Sequence, residues 1–154
     1  MATWLSQMID ESDNRYFSEQ EYGQLLTYAE SVSTRLTVAR EVETAEAEIL
    51  AEVDQRLAAA NGEKIDASVK QEHLKCMTLV IRYDVQAMLL NDPTFLDERI
   101  LHFLASMLKS FGLSQDYIRK SYQALAEVTL SKVSPDGREL IRPCLERNIA
   151  VLVG

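Results

Sequence analysis

The sequence predicts an all-α domain, and three observations carry that prediction. Apolar residues recur at three- and four-residue steps along most of the chain, no stretch alternates with the period of two that a half-buried strand needs, and five glycines and three prolines are spread over 154 residues. That length is about one domain by the usual prior of roughly 100–200 residues each, and it is long enough to bury a core. With 47% hydrophobic and 26% charged residues, the composition is that of a folded globule and not of a disordered chain.

The elements follow in order. From Thr3 to about Ile9, Trp4, Leu5, Met8 and Ile9 stand at helical spacing, and the polar run from Asp10 to Asn14 breaks the pattern. Isolated helices below roughly 12–15 residues are marginal in water, so this apolar stripe has to pack on something. Ser18 followed by Glu21 is a capping box: the hydroxyl accepts a free backbone N–H while the carboxylate reaches back to the Ser amide. A helix therefore starts there and runs without proline through Leu25, Leu26, Ala29, Val32, Leu36, Ala39, Val42, Ile49, Val53 and Leu57, bent or split once, to a stop at Asn61-Gly62. Beyond a polar loop to Ala67, a long helix from about Ser68 to Leu90 is expected to bury Val69, Leu74, Met77, Ile81, Val85 and Met88. Asn91-Asp92-Pro93-Thr94 is turn chemistry, Asp97 to Phe111 is helical with Gly112 as its stop, and Ser114 caps the next helix, which carries Tyr117, Ile118, Tyr122, Leu125, Val128 and Leu130. Ser134-Pro135-Asp136-Gly137 makes a last turn before a helix from about Arg138 to Leu152, which Pro143 is expected to kink or delay. Six or seven helices of these lengths suggest a globin-type packing and not a four-helix bundle.

Charge and chemistry narrow the function. A net charge of −8 repels phosphate backbones, and no basic stripe interleaved with aromatics offsets it, so nucleic acid is not an expected partner. Two cysteines, Cys76 and Cys144, are too few for a four-ligand zinc site or a disulfide framework and read as free thiols. The segment from Met1 to Asn14 carries Gln7, Asp10, Glu11 and Asp13 among its apolar residues, which fits neither a signal peptide nor a membrane span, so the expected location is the cytoplasm. There is no Gly-rich phosphate loop and no His-Glu helix motif. His73 and Cys76 share a helical face three residues apart, but that spacing alone is no recognised catalytic pattern, and no enzyme activity is expected.

Two stretches then point to a family. Asn14-Arg15-Tyr16-Phe17-Ser18 with Glu21, followed by Arg35 and Ala39, resembles the start of the second helix in phycobiliproteins. From Leu79 to Gly112, Ile81-Arg82-Tyr83, Asn91-Asp92, Leu96-Asp97-Glu98-Arg99, Leu101, Leu104 and Phe111-Gly112 resemble a β-type phycobiliprotein without a gap, and the likeness extends over nearly the whole chain. It implies a single globin-like domain over 1–154, with 1–33 as a helical pairing region and 34–154 as the globin core.

The same resemblance locates the chromophore chemistry and its loss. In phycobiliproteins the bilin-bearing Cys lies nine residues before the Arg that matches Arg82, with an Arg two residues on and an Asp three residues on. Those positions hold His73, Lys75 and Cys76 here. Imidazole supplies no sulfur for a thioether, and a Cys in the Asp position supplies no carboxylate for the pyrrole nitrogens. The resemblance thus implies a degenerate pocket at His73, Lys75 and Cys76, no covalent bilin and no bound cofactor. The branch that fits by elimination is the bilin-biosynthesis-associated globins, a non-catalytic group linked to tetrapyrrole metabolism, whose partners would be bilin-metabolising enzymes or a phycobiliprotein-like chain. Two alternatives stay open: a haem or bilin carrier or sensor, and a pigment-free structural adaptor of an antenna complex. The carrier reading draws on a basic rim of Lys70, His73 and Lys75, and on the spacing of His73 and His102, which is close to that of the two histidines in haem globins. The resemblance also implies a homodimer paired through the front helices, with Trp4, Met8, Glu11, Asp13, Tyr16 and Arg82 at the interface.

Overall fold

Every regular element in the computed structural model, which describes residues 3–60 and 64–154, is helical. Helix α1 (Trp4–Glu11) opens on Thr3, whose hydroxyl accepts from the Ser6 N–H. Helix α2 (Glu19–Ala59) opens on the capping box, Ser18 N–H donating to Glu21 Oε2 at 2.6 Å and Glu21 N–H donating to Ser18 Oγ at 3.3 Å. It then runs unbroken for 41 residues, so it is not split. With no proline in it and a single glycine near its start, nothing stops the ladder, and Val38, Val42, Ile49, Val53 and Leu57 seat it on the core turn after turn. The expected stop at Asn61-Gly62 lies outside the described residues.

Helix α3 (Ala67–Leu90) ends on Asn91, which takes the left-handed conformation at φ 54° that Asn tolerates better than other side chains. In the turn that follows, Asp92 Oδ1 accepts from both the N–H and the hydroxyl of Thr94. Asp97–Leu101 is a π-helical turn, the N–H of His102 reaching back to the Asp97 carbonyl, and it feeds α4 (His102–Ser110). Gly112, at φ 71°, ends that run in the left-handed region where a glycine is favoured. Helix α5 (Gln115–Lys132) is capped by Ser114 as expected. Helix α6 (Pro135–Val153) begins three residues earlier than Arg138, because Pro135 occupies the first helical position, where its missing N–H costs nothing and its φ is already helical. Pro143 lies inside α6 without ending it.

The core forms where α2 crosses α5, α3 and α6 and where α5 packs on α6. Val38, Ile49, Val53, Val80, Leu96, Leu101, Leu125, Val128 and Ile141 are fully enclosed. The N-terminal part of α2, up to residue 34, stands outside this core. Before Arg35 no residue of that helix is buried, and Tyr22, Leu26, Val32 and Leu36 leave large apolar surface in water. Helix α1 folds back beside it: Trp4 stacks edge-on to Tyr28 at 5.3 Å and donates its indole N–H to the Leu90 carbonyl, while the Tyr28 hydroxyl donates to the Leu89 carbonyl. No described helix is long and apolar enough to cross a membrane.

Candidate functional site

The inner face of α3 is made by His73, Cys76, Met77, Val80, Ile81, Asp84, Ala87 and Met88. This corrects the expected stripe. Met77, Ile81 and Met88 are buried as anticipated, but Val69, Leu74 and Val85 are only partly covered, and the helix is rotated so that the core receives two polar side chains, His73 and Asp84.

His73 sits at the position that the resemblance gives to the bilin cysteine, and it is 1% exposed. Its ring lies 5.7 Å from Tyr117 and 5.8 Å from Tyr122 of α5, and neither ring nitrogen has a hydrogen-bond partner. Burial without a partner pushes its pKa down to about 4, so the imidazole is neutral. Leaving two buried polar atoms unpaired costs stability, so His73→Leu is expected to stabilise the fold by roughly 1–3 kcal/mol at neutral pH in urea unfolding. The unfolded chain takes up a proton at about 6.5 and the folded one only near 4, so the wild type should also lose stability as pH falls through that window. In His73→Leu that acid loss should shrink; an unchanged slope would mean that other groups carry it.

The other expected site residues are dispersed. Lys75 points to solvent and pairs with Glu72 at 2.7 Å, and Lys70 pairs with Asp54 across the α2–α3 contact at 2.9 Å. Neither joins His73, so the expected basic rim is not assembled: its cations are neutralised by acids and its imidazole is in the core. His102 is exposed on α4. The two histidines therefore do not face a common cavity as a haem pair would.

Cys76 is nearly buried, with its Sγ 3.7 Å from Met107 Sδ of α4. Burial, and then the charge of Glu72, push its thiol up, away from the reactive thiolate. Together with Leu79, Tyr83, Arg99, Phe103 and Met107 it lines a cleft of about 200 Å³ between α3 and α4. Phe103 at its rim is two-thirds exposed.

Arg82 forks onto Glu46 of α2, with contacts of 2.9 and 2.7 Å to the two carboxylate oxygens, across a groove of about 530 Å³ that Val42, Ile81 and Val85 also line. This pairing holds Glu46 below the usual carboxylate range, and most of the Arg82 side chain still faces solvent. Of the expected pairing residues on α1 and after it, Met8 is turned inward at 5% exposure, Glu11 and Asp13 are exposed, and Tyr16 is almost wholly in water. The outward apolar residues of α1 are instead Leu5 and Ile9.

Arg35 was legible only as part of a family pattern, and its work is visible in three dimensions. Its guanidinium, 5% exposed, donates to Ser31 Oγ, to Asn91 Oδ1 and to the Met88 carbonyl, and lies over the Tyr28 ring. It forms the floor of a third groove, of about 730 Å³, with Trp4, Gln24, Tyr28 and Leu140 among its walls. Asp84 and Asn148, hydrogen-bonded to each other in the core, were not anticipated. The signal for Asp84 was an acid in register with Met77, Ile81 and Met88 on α3.

A family model described as "Phycobilisome protein" matches residues 7–152. The allophycocyanin beta chains of Anabaena cylindrica, Mastigocladus laminosus and Cyanidium caldarium are each 43% identical to this chain over 61 residues, which is 39% of this chain and 38% of theirs. The matched part thus spans less than two-fifths of the length of these relatives.

Proposed function

The chain belongs to the phycobilisome protein family, and we propose that within it this protein is a pigment-free, non-catalytic adaptor that pairs with a second chain of the same fold through α1 and the first half of α2. The observation that carries this reading is His73. At the position where the resemblance calls for a bilin-bearing sulfur, the chain has a neutral imidazole packed between two tyrosines. One turn further, the Cys76 thiol is held protonated against Met107. The cleft beside it, about 200 Å³, is smaller than the roughly 300–1,000 Å³ of sites that enclose drug-sized ligands, and a tetrapyrrole is at the large end of that class.

Pairing is supported by what α2 leaves uncovered. Tyr22, Leu26, Val32 and Leu36 are exposed on a helix that projects ahead of the core, with Leu5 and Ile9 of α1 alongside. Scattered apolar residues are ordinary, but a contiguous set on one projecting arm is the mark of an interaction surface. The proposed pair is a homodimer, with exposed acids at Glu11 and Asp13 available to the partner's Arg82 if that residue exchanges its hold on Glu46. An association with tetrapyrrole metabolism is a finer reading that the chain's own geometry does not strengthen.

The test has two arms. Protein co-expressed with a bilin-producing pathway, then protein incubated with haemin and freed of excess, is expected to show no tetrapyrrole absorbance either before or after acid-urea denaturation; colour released on denaturation would favour the reversible carrier instead. Colour retained by the denatured chain would overturn the pigment-free reading and point to Cys76. In sedimentation, the unaltered protein is expected to be dimeric at micromolar concentration and Leu26→Glu/Leu36→Glu monomeric with unchanged helicity. A monomeric wild type would overturn the homodimer.

A further inference from the structure

We propose that Asp84 and Asn148 form a proton-dependent latch between α3 and α6, closed while Asp84 is a neutral carboxylic acid and loosened when it ionises. The geometry asks for the proton. Asp84 is fully enclosed and Asn148 is 1% exposed. The Asn148 amide nitrogen lies 3.0 and 2.8 Å from the two carboxyl oxygens, so its N–H groups supply all the donors that Asp84 receives from a side chain. The other end of the same amide, Asn148 Oδ1, is buried without a donor. A carboxylate has no hydrogen to give it. A carboxylic acid has one: with a turn of the amide that brings its Oδ1 to the acid O–H, the two planar groups can pair reciprocally, amide N–H to acid C=O and acid O–H to amide C=O, which gives that orphan oxygen a donor.

Apart from Asn148, no side chain among the described residues donates to the carboxyl, and the nearby Tyr122 hydroxyl is itself without a hydrogen-bond partner. Tyr122 faces the carboxyl from α5 and Cys144 from α6, both kept neutral by burial. The charge of Arg35 on α2 is felt by Cys144, but its donors are directed to Ser31, Met88 and Asn91, and Asp92 adds a negative charge to the same neighbourhood. Among the described residues no cation touches Asp84. Burial accordingly pushes its carboxyl up to about 8, against 3.8 in an unfolded chain, the amide hydrogen bonds opposing in part.

The sign follows from proton counting. Between about 3.8 and 8 the closed latch holds a proton that the opened state releases, so opening becomes easier as pH rises and levels off once the closed form is itself ionised. His73 acts in the opposite direction below about 6.5, which leaves the interval from 6.5 to 8 to Asp84. The latch reaches the surface through α6, whose Leu140 is a wall of the groove that Arg35 floors.

Infrared spectra of the intact protein test the proposal. A carboxylic-acid C=O band is expected at pH 6.5, fading through pH 8 and absent from Asp84→Asn. Hydrogen exchange at α6 amides, corrected for intrinsic rates, should lose up to about tenfold protection per pH unit across that interval and then level off, with no such slope in Asp84→Asn. Should Asp84→Asn fail to fold, the infrared band of the unaltered protein, followed against pH, decides alone. An ionised carboxylate throughout, or the same exchange slope in the variant, would overturn the latch.

Discussion

Alanine at Gly137 is expected to destabilise the protein by about 1–3 kcal/mol in urea unfolding, the cost of overpacking a closed core. Gly137 lies in the first turn of α6 where that helix meets α2, and a Cβ there would stand 2.2 Å from Val38 Cγ2 and 3.2 Å from Val133 Cγ1. Neither neighbour yields cheaply. Val38 is wholly buried, and a β-branched side chain has one strongly preferred rotamer in a helix, so the methyl cannot swing aside. The helices must move apart or the valine must adopt a strained χ1. The check is a double-mutant cycle with Val38→Ala: removing the opposing methyl should make the pair less destabilised than the sum of the two single changes. Additive costs would mean that the two side chains do not compete for the same space.

Arg35→Met should cost a similar amount, roughly 3 kcal/mol, while keeping the length of the apolar stem. The guanidinium does three things at once: it donates to the carbonyl of Met88 in the last turn of α3, fixes the side chain of the left-handed cap residue Asn91, and stacks on Tyr28, which itself holds the Leu89 carbonyl. Removing it leaves the end of α3 with acceptors turned toward a side chain that cannot donate. The loss should therefore be concentrated at the α2–α3 contact, seen as faster hydrogen exchange around residues 85–91, with α5 little affected. A variant as stable as the wild type would mean that α3 is ended by Asn91 alone.

Much of the fold was legible because helix ends are written in local chemistry. The capping box at Ser18 and Glu21, the Ser114 cap, the left-handed Asn91 and Gly112 all act within a few residues of themselves, so their signals need no tertiary context. Pro135 was read as part of a turn and proved to be the first residue of α6, since proline can serve either role and only the surrounding chain selects one. The candidate site was less legible. The pattern located the position of His73 but not its company, and it placed Lys75 and Lys70 beside it when each belongs to an acid on the outer surface.

By itself the sequence determined that this is an all-α chain and where most of its helices end; that imidazole stands where a bilin cysteine is expected is what the resemblance implies. The tertiary structure decided the rotation of α3 about its axis. A stripe drawn through the bulkiest apolar residues chose Leu74 and Val85, but α2 and α6 pack against α3 and the α5 tyrosines meet His73, and so His73 and Asp84 are in the core. Rotating a helix by one position changes no local propensity; it changes which side chains meet the neighbouring helices. The pairing of Asp84 with Asn148, of Arg82 with Glu46 and of Cys76 with Met107 joins residues far apart in the chain, and such contacts exist only once the helices have docked.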